Sequence, residues 1–378
     1  MKLNYKKLGD FIQQVKKRNN DNSLTVDNLR GINISKKFMP SVANVTGTDL
    51  SVYKVVEKNQ FAYNPMHVGR DEILPISMLV NQNRVIVSPA YVIFEIVDTD
   101  KLLPEYLMIW CRRSEFDRNA WFTTDSSVRG GFNWEDFCDL ELPVPSLEKQ
   151  KEIIKEYHTI TDRIKLNEQL NQKLEDTAQS IYKEWFVNFE STKSVKLNDY
   201  IEFNPKHTIK KEQLTSYIEM ADVQEDVMSL KNIIKRPFTS GSKFKNQDTL
   251  LARITPCLEN GKTAFVTGLN KNEVAFGSTE FIVMRAKKEI SPYWVYCLAR
   301  EENFRSYAIS SMVGSSGRQR VHSDYLKEYE ILIDTEKMNN FHITVKPLFE
   351  LIDLKAKENK NLEILRETLL SKMATIED

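Results

Sequence analysis

The residues of this chain that could do chemistry fail, set by set, for want of a neighbour. Gly261-Lys262-Thr263 has the ending of a phosphate-binding loop, in which backbone N–H groups of a glycine turn wrap the phosphates. That loop needs a second glycine five positions before Gly261, and Pro256 stands there. Asn64-Pro65-Met66-His67 and Asn204-Pro205-Lys206-His207 approach the Asn-Pro-Pro-aromatic turn used in amino-methyl transfer. Both lack the second proline and the stacking aromatic, and no glycine-rich loop follows a strand to hold S-adenosylmethionine. The histidines (His67, His158, His207, His322, His342) form no HxxxH or HExxH, and no GxSxG is present. Cys111, Cys138, Cys257 and Cys297 lie far apart without a CxxC, which argues against a zinc site or a disulfide framework and for buried thiols in a reducing compartment. The chain reads as non-catalytic, with no metal and no cofactor of its own.

What remains is the chemistry of contact. Lys plus Arg equals Asp plus Glu at 53 each, so no global field draws the molecule to a polyanion. The neutral total hides segregation. Residues 1–70 carry 12 basic and 5 acidic side chains, and residues 229–288 carry 11 and 4. Both basic stretches are interleaved with aromatics (Phe38, Phe61, Tyr63; Phe238, Phe244, Phe265), the footprint expected of a surface that displaces counterions from phosphates. Candidates for such contact are Tyr63, Asn64, Arg70 and Arg84 in the first half, and Lys243, Lys245, Arg253 and Lys262 in the second. Two turns of small residues add Arg129, beside Gly130-Gly131, and Arg318, Gln319 and Arg320, after Gly314-Ser315-Ser316-Gly317. Small residues there let backbone N–H groups and guanidinium approach a phosphate or a guanine edge. Charge scattered over several solvated faces, and loops shaped only for packing, remain the alternatives.

The elements that must position these residues occur twice. Lys7-Leu8-Gly9-Asp10-Phe11-Ile12 returns as Lys196-Leu197-Asn198-Asp199-Tyr200-Ile201, and Pro104-Glu105-Tyr106 lies over Pro292-Tyr293. Residues 128–137 lie over 316–325, and Ile164, Leu174 and Glu175 over Ile352, Leu362 and Glu363. An offset of 188 to 189 residues held throughout is the signature of a duplication. Each half opens with a mixed region. Residues 85–97 and 280–284 read as strands, and 104–116 and 292–307 as helices with proline in the first turn. Each then changes to a glycine-free run, 146–189 and about 336–373, with proline only at Pro347. Roughly 42 residues at 1.5 Å each make a helix of about 60 Å.

In the first run Ile160, Ile164, Asn167, Asn171, Leu174, Ala178, Ile181 and Trp185 alternate by four and three; in the second Leu348, Ile352, Lys355, Asn359, Leu362, Arg366, Leu369 and Met373 do the same. This is a coiled-coil seam with polar interruptions, widened by Leu166, Leu170, Leu351, Leu354 and Leu365. Two separate amphipathic helices, each on its own domain, are the alternative. Asn171 and Asn359 hold corresponding seam positions, so antiparallel packing with these two amides in mutual or water-bridged contact is the expected register; the alternative is that both lie just off the seam and face water. No apolar run approaches the roughly 20 residues of a membrane span. The first residues, Met1-Lys2-Leu3-Asn4-Tyr5-Lys6-Lys7, are not followed by the apolar stretch of a signal peptide.

Two variable mixed regions, each followed by a long helix in a directly repeated chain, resemble the specificity (S) subunit of type I restriction–modification systems. Residues 248–264 look like the family's strand-turn-strand in the second target-recognition domain, and Phe61-Ala62-Tyr63-Asn64-Pro65-Met66 with Gly69-Arg70 is the counterpart in the first. Leu142-Pro143-Val144-Pro145-Ser146-Leu147-Glu148-Lys149-Gln150 is similar to the family's start of the first long helix, whereas Ile331-Leu332-Ile333-Asp334 departs from it in the second half. The resemblance implies an α+β fold in four parts. These are target-recognition domain 1 (1–147), a central long helix (148–190), target-recognition domain 2 (191–335) and a C-terminal long helix (336–378). The two pseudo-repeated mixed α/β domains would be separated by the two long antiparallel helices, which form the coiled coil.

It also implies a cytoplasmic subunit that reads a bipartite asymmetric target in double-stranded DNA. Two methyltransferase (modification) subunits and the restriction/translocase subunits would dock through the seam helices, marked by Ile160, Ile164, Asn171, Leu174, Ile181, Ile352, Asn359, Leu362 and Leu369. S-adenosylmethionine, ATP and Mg would reside on those partners, and the base-contacting residues cannot be carried over, because these domains vary with the target. A non-catalytic coiled-coil scaffold with two protein-binding heads is the alternative function.

Overall fold

Short strands whose central members are buried on both faces build the same small antiparallel sheet twice. The computed structural model describes residues 5–43, 45, 47–66, 68–124, 131–188, 194–287, 289–315 and 317–375, with the backbone alone for Gly69, Arg70 and Thr335. The chain divides into two units, Met1–Arg163 with Asn361–Asp378, and Ile164–Lys360. The division passes through both long helices, so each unit holds one end of each.

In the first unit, strands β1 (Ile12–Val15), β2 (Phe61–Tyr63), β3 (Ile76–Met78) and β4 (Val92–Ile96) lie in the order β1-β4-β2-β3, all antiparallel. In the second, β5 (Ile201–Phe203), β6 (Thr249–Ala252), β7 (Thr263–Phe265) and β8 (Phe281–Ala286) lie in the order β5-β8-β6-β7, again antiparallel. Each unit also pairs the strand that opens it with the one before its long helix, Tyr5–Lys7 with Glu141–Pro143 and Ser194–Lys196 with Glu330–Leu332. The duplication seen in the sequence is therefore a duplication of topology.

The accessory strands repeat as well, with more continuous pairing in the second unit. The first unit pairs Arg30–Ile32 with Phe38–Pro40 and Lys54–Glu57 with Arg84–Val87, both antiparallel, and a parallel bridge between Leu29 and Ile86 links the two pairs. The second gathers Ile234–Pro237, Leu214–Ile218, Ala275–Gly277 and Ser242–Phe244 into one four-stranded sheet with a parallel central pair. Gly241 makes that sheet possible. Its φ is +138°, and a Cβ there would come 2.1 Å from the Gly277 carbonyl oxygen.

Three expected elements break. The strand over 85–97 stops at Val87 and resumes at Val92, because Pro89 cannot donate to a ladder and Ser88 turns the chain by accepting from the Tyr91 N–H. The expected helix over 104–116 is two, Pro104–Trp110 and Ser114–Phe122, and that over 292–307 is also two, Pro292–Arg300 and Glu302–Ser310. In the second pair Glu301 is extended and its carboxylate caps the next helix by accepting from the Phe304 N–H at 2.9 Å.

The long helices run Leu147–Tyr182, continued by one π turn Lys183–Val187, and Thr335–Lys372. At 36 and 38 residues they measure about 54 and 57 Å. Gln150, fully buried, locks the first turn: its carbonyl accepts from the Leu103 N–H, and its amide donates to the Lys101 and Pro145 carbonyls. The second helix starts where the family-like motif is missing because Asp334 accepts from the Glu336 and Lys337 N–H groups. Pro347 is exposed within it, so the backbone bond it removes is lost on the solvent side.

The two helices are antiparallel within each unit. In the second unit Asn167 donates to Asn359, while farther along Tyr182 and Trp185 pack on Phe341. In the first unit Ile153, near the start of one helix, shares a core with Leu370 and Met373, near the end of the other. No described helix is long and apolar enough to cross a membrane.

Candidate nucleic-acid interface

The packed face of the helices follows a different period from the one the sequence suggests. Buried positions in the first are Ile164, Asn167, Asn171, Glu175, Ala178, Tyr182 and Phe186; in the second they include Met338, Phe341, Val345, Phe349 and Ile352. Both sets advance by three, four and four, eleven residues in three turns, closer to the 3.6 residues of a straight helix than a strict heptad. Ile164 and Ile352 hold their expected places, and Ile160, Leu174, Ile181, Leu362 and Leu369 sit half-buried at the margins. Leu166, Leu170, Leu354 and Leu365 do not widen the seam; they are exposed.

The asparagine register is off by one turn. Asn359 accepts a 2.8 Å hydrogen bond from the amide of Asn167, not Asn171, and donates to the Ile164 carbonyl at 3.4 Å. Asn171 is 5% exposed and its Oδ1 has no hydrogen-bond partner. Equal offsets from the helix starts would have paired 171 with 359. The side chains that pack between the helices set the stagger instead.

Beside Leu174 lies a group that sequence reasoning missed. Glu175 is buried, its two oxygens accepting from the Tyr296 hydroxyl at 2.5 Å and the Met228 N–H at 3.0 Å. Burial pushes its carboxyl up to about 7, against the pull of those donors and of Arg300. The only sequence signal was a glutamate one residue from an apolar seam position. At the equivalent place in the second helix, Glu363 is exposed.

Among the candidates for DNA contact, Tyr63 is corrected outright. It is fully buried, stacked on Phe137 at 4.8 Å and tilted against Phe94 and Phe132, and burial raises its hydroxyl far above the usual range. It belongs to the core because it occupies an inward position of β2. Asn64 shapes a turn, accepting from the Met66 N–H at 3.0 Å. Arg84 is exposed at the start of its strand, opposite Glu57. The side chain of Arg70 and all of Arg129 lie outside the described residues.

In the second unit four candidates meet. Arg253 follows β6, donates its N–H to the Glu280 carbonyl and accepts from the Val321 N–H; Gln319 accepts through its carbonyl from the Thr255 N–H and hydroxyl. Arg320 bridges Ile254 and Val313, and Arg318 is exposed on the turn that Gly317 opens with a φ of +77°. Their charges are unequal in availability. Glu280 engages Arg320 at both Nη2 (2.7 Å) and Nε (3.0 Å) and raises its pKa, so that guanidinium is not free for a phosphate. Arg253 keeps a buried Nε without a partner.

Lys262 is spent on the Met220 carbonyl at 3.1 Å. Lys243 donates to the His207 carbonyl at 2.9 Å and lies 5.0 Å from the centre of the Phe238 ring, and Lys245 sits two residues on, where its N–H donates to Asp248. Asp248 itself is almost fully buried and bound to Arg285 at 2.5 Å.

Residues 73–176 match the family model of the type I restriction modification DNA specificity domain. The matched stretch takes in β3, β4, the two short helices at 104–122 and most of the first long helix. The chain is 26% identical over 196 residues to the type I restriction enzyme HindI specificity subunit of Haemophilus influenzae, covering 50% of this chain and 41% of that protein. It is 24% identical over 306 residues to the MjaIX specificity subunit of Methanocaldococcus jannaschii, covering 74% and 70%. The Haemophilus match thus spans less than half of its relative's length. In fold, the chain superposes on the crystal structure of a type I restriction–modification S subunit from M. genitalium with a TM-score of 0.56, at 14% identity, over 100% of this chain and 99% of that one. Residues 73–176 thus resemble the type I restriction modification DNA specificity domain, and with two copies of one sheet order and two long helices antiparallel within each unit the chain shares the fold of that S subunit.

Proposed function

We propose that this chain is the non-catalytic, cytoplasmic subunit that reads a bipartite, asymmetric target in double-stranded DNA for a type I restriction–modification complex. The observation that carries the reading is the contrast within the repeat. The sheet order β1-β4-β2-β3 returns as β5-β8-β6-β7, and the pair Lys54–Glu57 with Arg84–Val87 returns as Ser242–Phe244 with Ala275–Gly277, while the side chains on this frame do not: Asn64 follows β2 where Arg253 follows β6. One frame with two different surfaces suits two half-sites of different sequence. On this reading 1–147 and 191–335 are the recognition domains, and 148–190 and 336–378 set their spacing. Arg253, Arg318 and Gln319 are the strongest candidates for contact in the second domain, since Arg320 is held by Glu280.

The helices also dock two methyltransferase subunits and, through them, restriction/translocase subunits. Those partners bring S-adenosylmethionine, ATP and Mg. Exposed leucines support this: Leu166, Leu170 and Leu354 in one unit and Leu365 in the other are costly to leave in water. The test is selection from a random duplex library by the full chain co-expressed with type I methyltransferase subunits. Two enriched blocks separated by a fixed unspecified spacer are expected. A single contiguous block, or no enrichment, overturns the reading; failure of the subunits to co-purify overturns the docking.

A further inference from the structure

Basic residues collect at one more place, and they do so at equivalent positions of the two units. In the first unit the chain leaving β1 runs through Lys16, Lys17 and Arg18, all exposed, and lies beside Lys54. Backbone contacts fix this approach: Arg18 and Lys54 form a bridge, and the Val55 N–H donates to the Lys17 carbonyl at 3.0 Å. In the second unit the chain leaving β5 runs through Lys206 and His207 beside Lys243, whose ammonium donates to the His207 carbonyl at 2.9 Å. Lys17 and Lys206, Arg18 and His207, and Lys54 and Lys243 each stand 189 residues apart, the offset that relates Ile12 to Ile201. Lys245 extends the second cluster.

Little acid answers this charge. Lys17 pairs with Glu57 across an exposed 2.8 Å contact, and Asp248 is taken by Arg285. Among the described residues no carboxylate pairs with Lys16, Arg18, Lys206 or Lys245. The crowding is felt electrostatically: Lys54 is depressed by burial and then by Arg18 and Lys16, and His207 by burial and then by Arg285 and Lys245. Like charges held together in the free protein are relieved when a polyanion arrives.

We infer that Lys16, Arg18 and Lys54 in the first unit, and Lys206, His207 and Lys243 with Lys245 in the second, are a repeated cradle for the phosphates of the DNA backbone, one in each recognition unit, in which Arg18 and Lys54 correspond to His207 and Lys243. This inference rests on the DNA-reading function proposed above. Phosphate contacts set position without carrying sequence information, whereas base contacts must differ between half-sites. A cluster that survives the divergence of the two halves fits the first role; Arg253, whose place after the equivalent strand is held by Asn64 in the first half, fits the second.

Fluorescence anisotropy of the full chain on a labelled mixed-sequence duplex of about 30 base pairs, titrated with NaCl, tests it. Each phosphate contact contributes about 0.9 to the slope of log affinity against log salt. Lys16→Gln with Arg18→Gln is expected to reduce the slope by about 1.8, Lys206→Gln with Lys245→Gln by the same, and all four by about 3.6. The control pair is Lys7→Gln with Lys196→Gln, also 189 residues apart but matched by Asp139 and Glu328; its slope stays that of the wild type. A quadruple variant that keeps the wild-type slope, while the wild type binds with steep salt dependence, overturns the cradle and leaves the DNA reading intact. A wild type with no salt-dependent binding overturns both. Unchanged duplex binding with loss of co-expressed methyltransferase subunits makes the clusters a protein-docking surface and overturns the inference.

Discussion

Asn359→Leu should destabilise the chain, and Asn167→Leu added to it should restore the loss. Asn167 is 2% exposed, and its amide donates at 2.8 Å to Asn359, which is only half-buried. Removing Asn359 leaves a buried donor without an acceptor, a cost of about 1–3 kcal/mol. Removing Asn167 instead leaves the Asn359 oxygen, which water can reach, so that variant should lose less, roughly 1 kcal/mol. With both replaced no polar group is stranded, and two leucines bury apolar surface worth about 25 cal/mol per Å². The double variant is therefore expected at or above wild-type stability, with an interaction energy of about 3 kcal/mol. Both residues lie in the unit Ile164–Lys360. In a domain of that size 1 kcal/mol moves Tm by about 2–4 °C. Thermal unfolding followed by circular dichroism should show Asn359→Leu about 4–8 °C below wild type for a loss of about 2 kcal/mol, and the double variant within error of it or higher. A double variant whose loss equals the sum of the singles would refute the pairing.

Other consequences are equally direct. Glu175 holds its proton more tightly in the folded chain, at about 7 against an ordinary 4.5, so its contribution is fully present below about pH 4.5 and lost as pH rises through about 7, worth about 3 kcal/mol. Urea unfolding of Glu175→Gln should accordingly vary less between about pH 5 and pH 8 than wild type; an identical pH profile would remove Glu175 as its source. Gly241→Ala should lower stability by about 2–3 kcal/mol, since its Cβ meets the Gly277 carbonyl. Gly317→Ala, at φ +77° but in open space, should cost only about 1–2 kcal/mol, and equal Tm losses would contradict the difference. On duplex DNA, Arg318→Ala should weaken binding by about 1–3 kcal/mol if it reads a base, and Arg320→Ala by less, because Glu280 already engages that guanidinium. The reverse order would place Arg320 at the interface.

The sequence by itself determined the duplication and the two long helices. These follow from regularities along the chain: a constant offset, an apolar period and a change of composition survive without knowledge of any contact. The structure alone decided which side chains meet. Tyr63 looked available beside Asn64 and Arg70, yet both faces of its strand are buried, Phe61 and Tyr63 in one core and Ala62 in another, and that belongs to what packs against the sheet. The heptad and the eleven-residue spacing agree at Ile164, Asn167 and Asn171 and part at the next step, where Glu175 rather than Leu174 turns inward. Asn167 rather than Asn171 meets Asn359 because stagger is set by the bulk of Tyr182, Phe186 and Phe341 packed farther along the same pair. The guanidinium of Arg320 is engaged by Glu280, forty residues away in sequence and within hydrogen-bond reach in space. Charge and periodicity are properties of a segment; burial, pairing and the partner of each buried polar atom are properties of the packed whole.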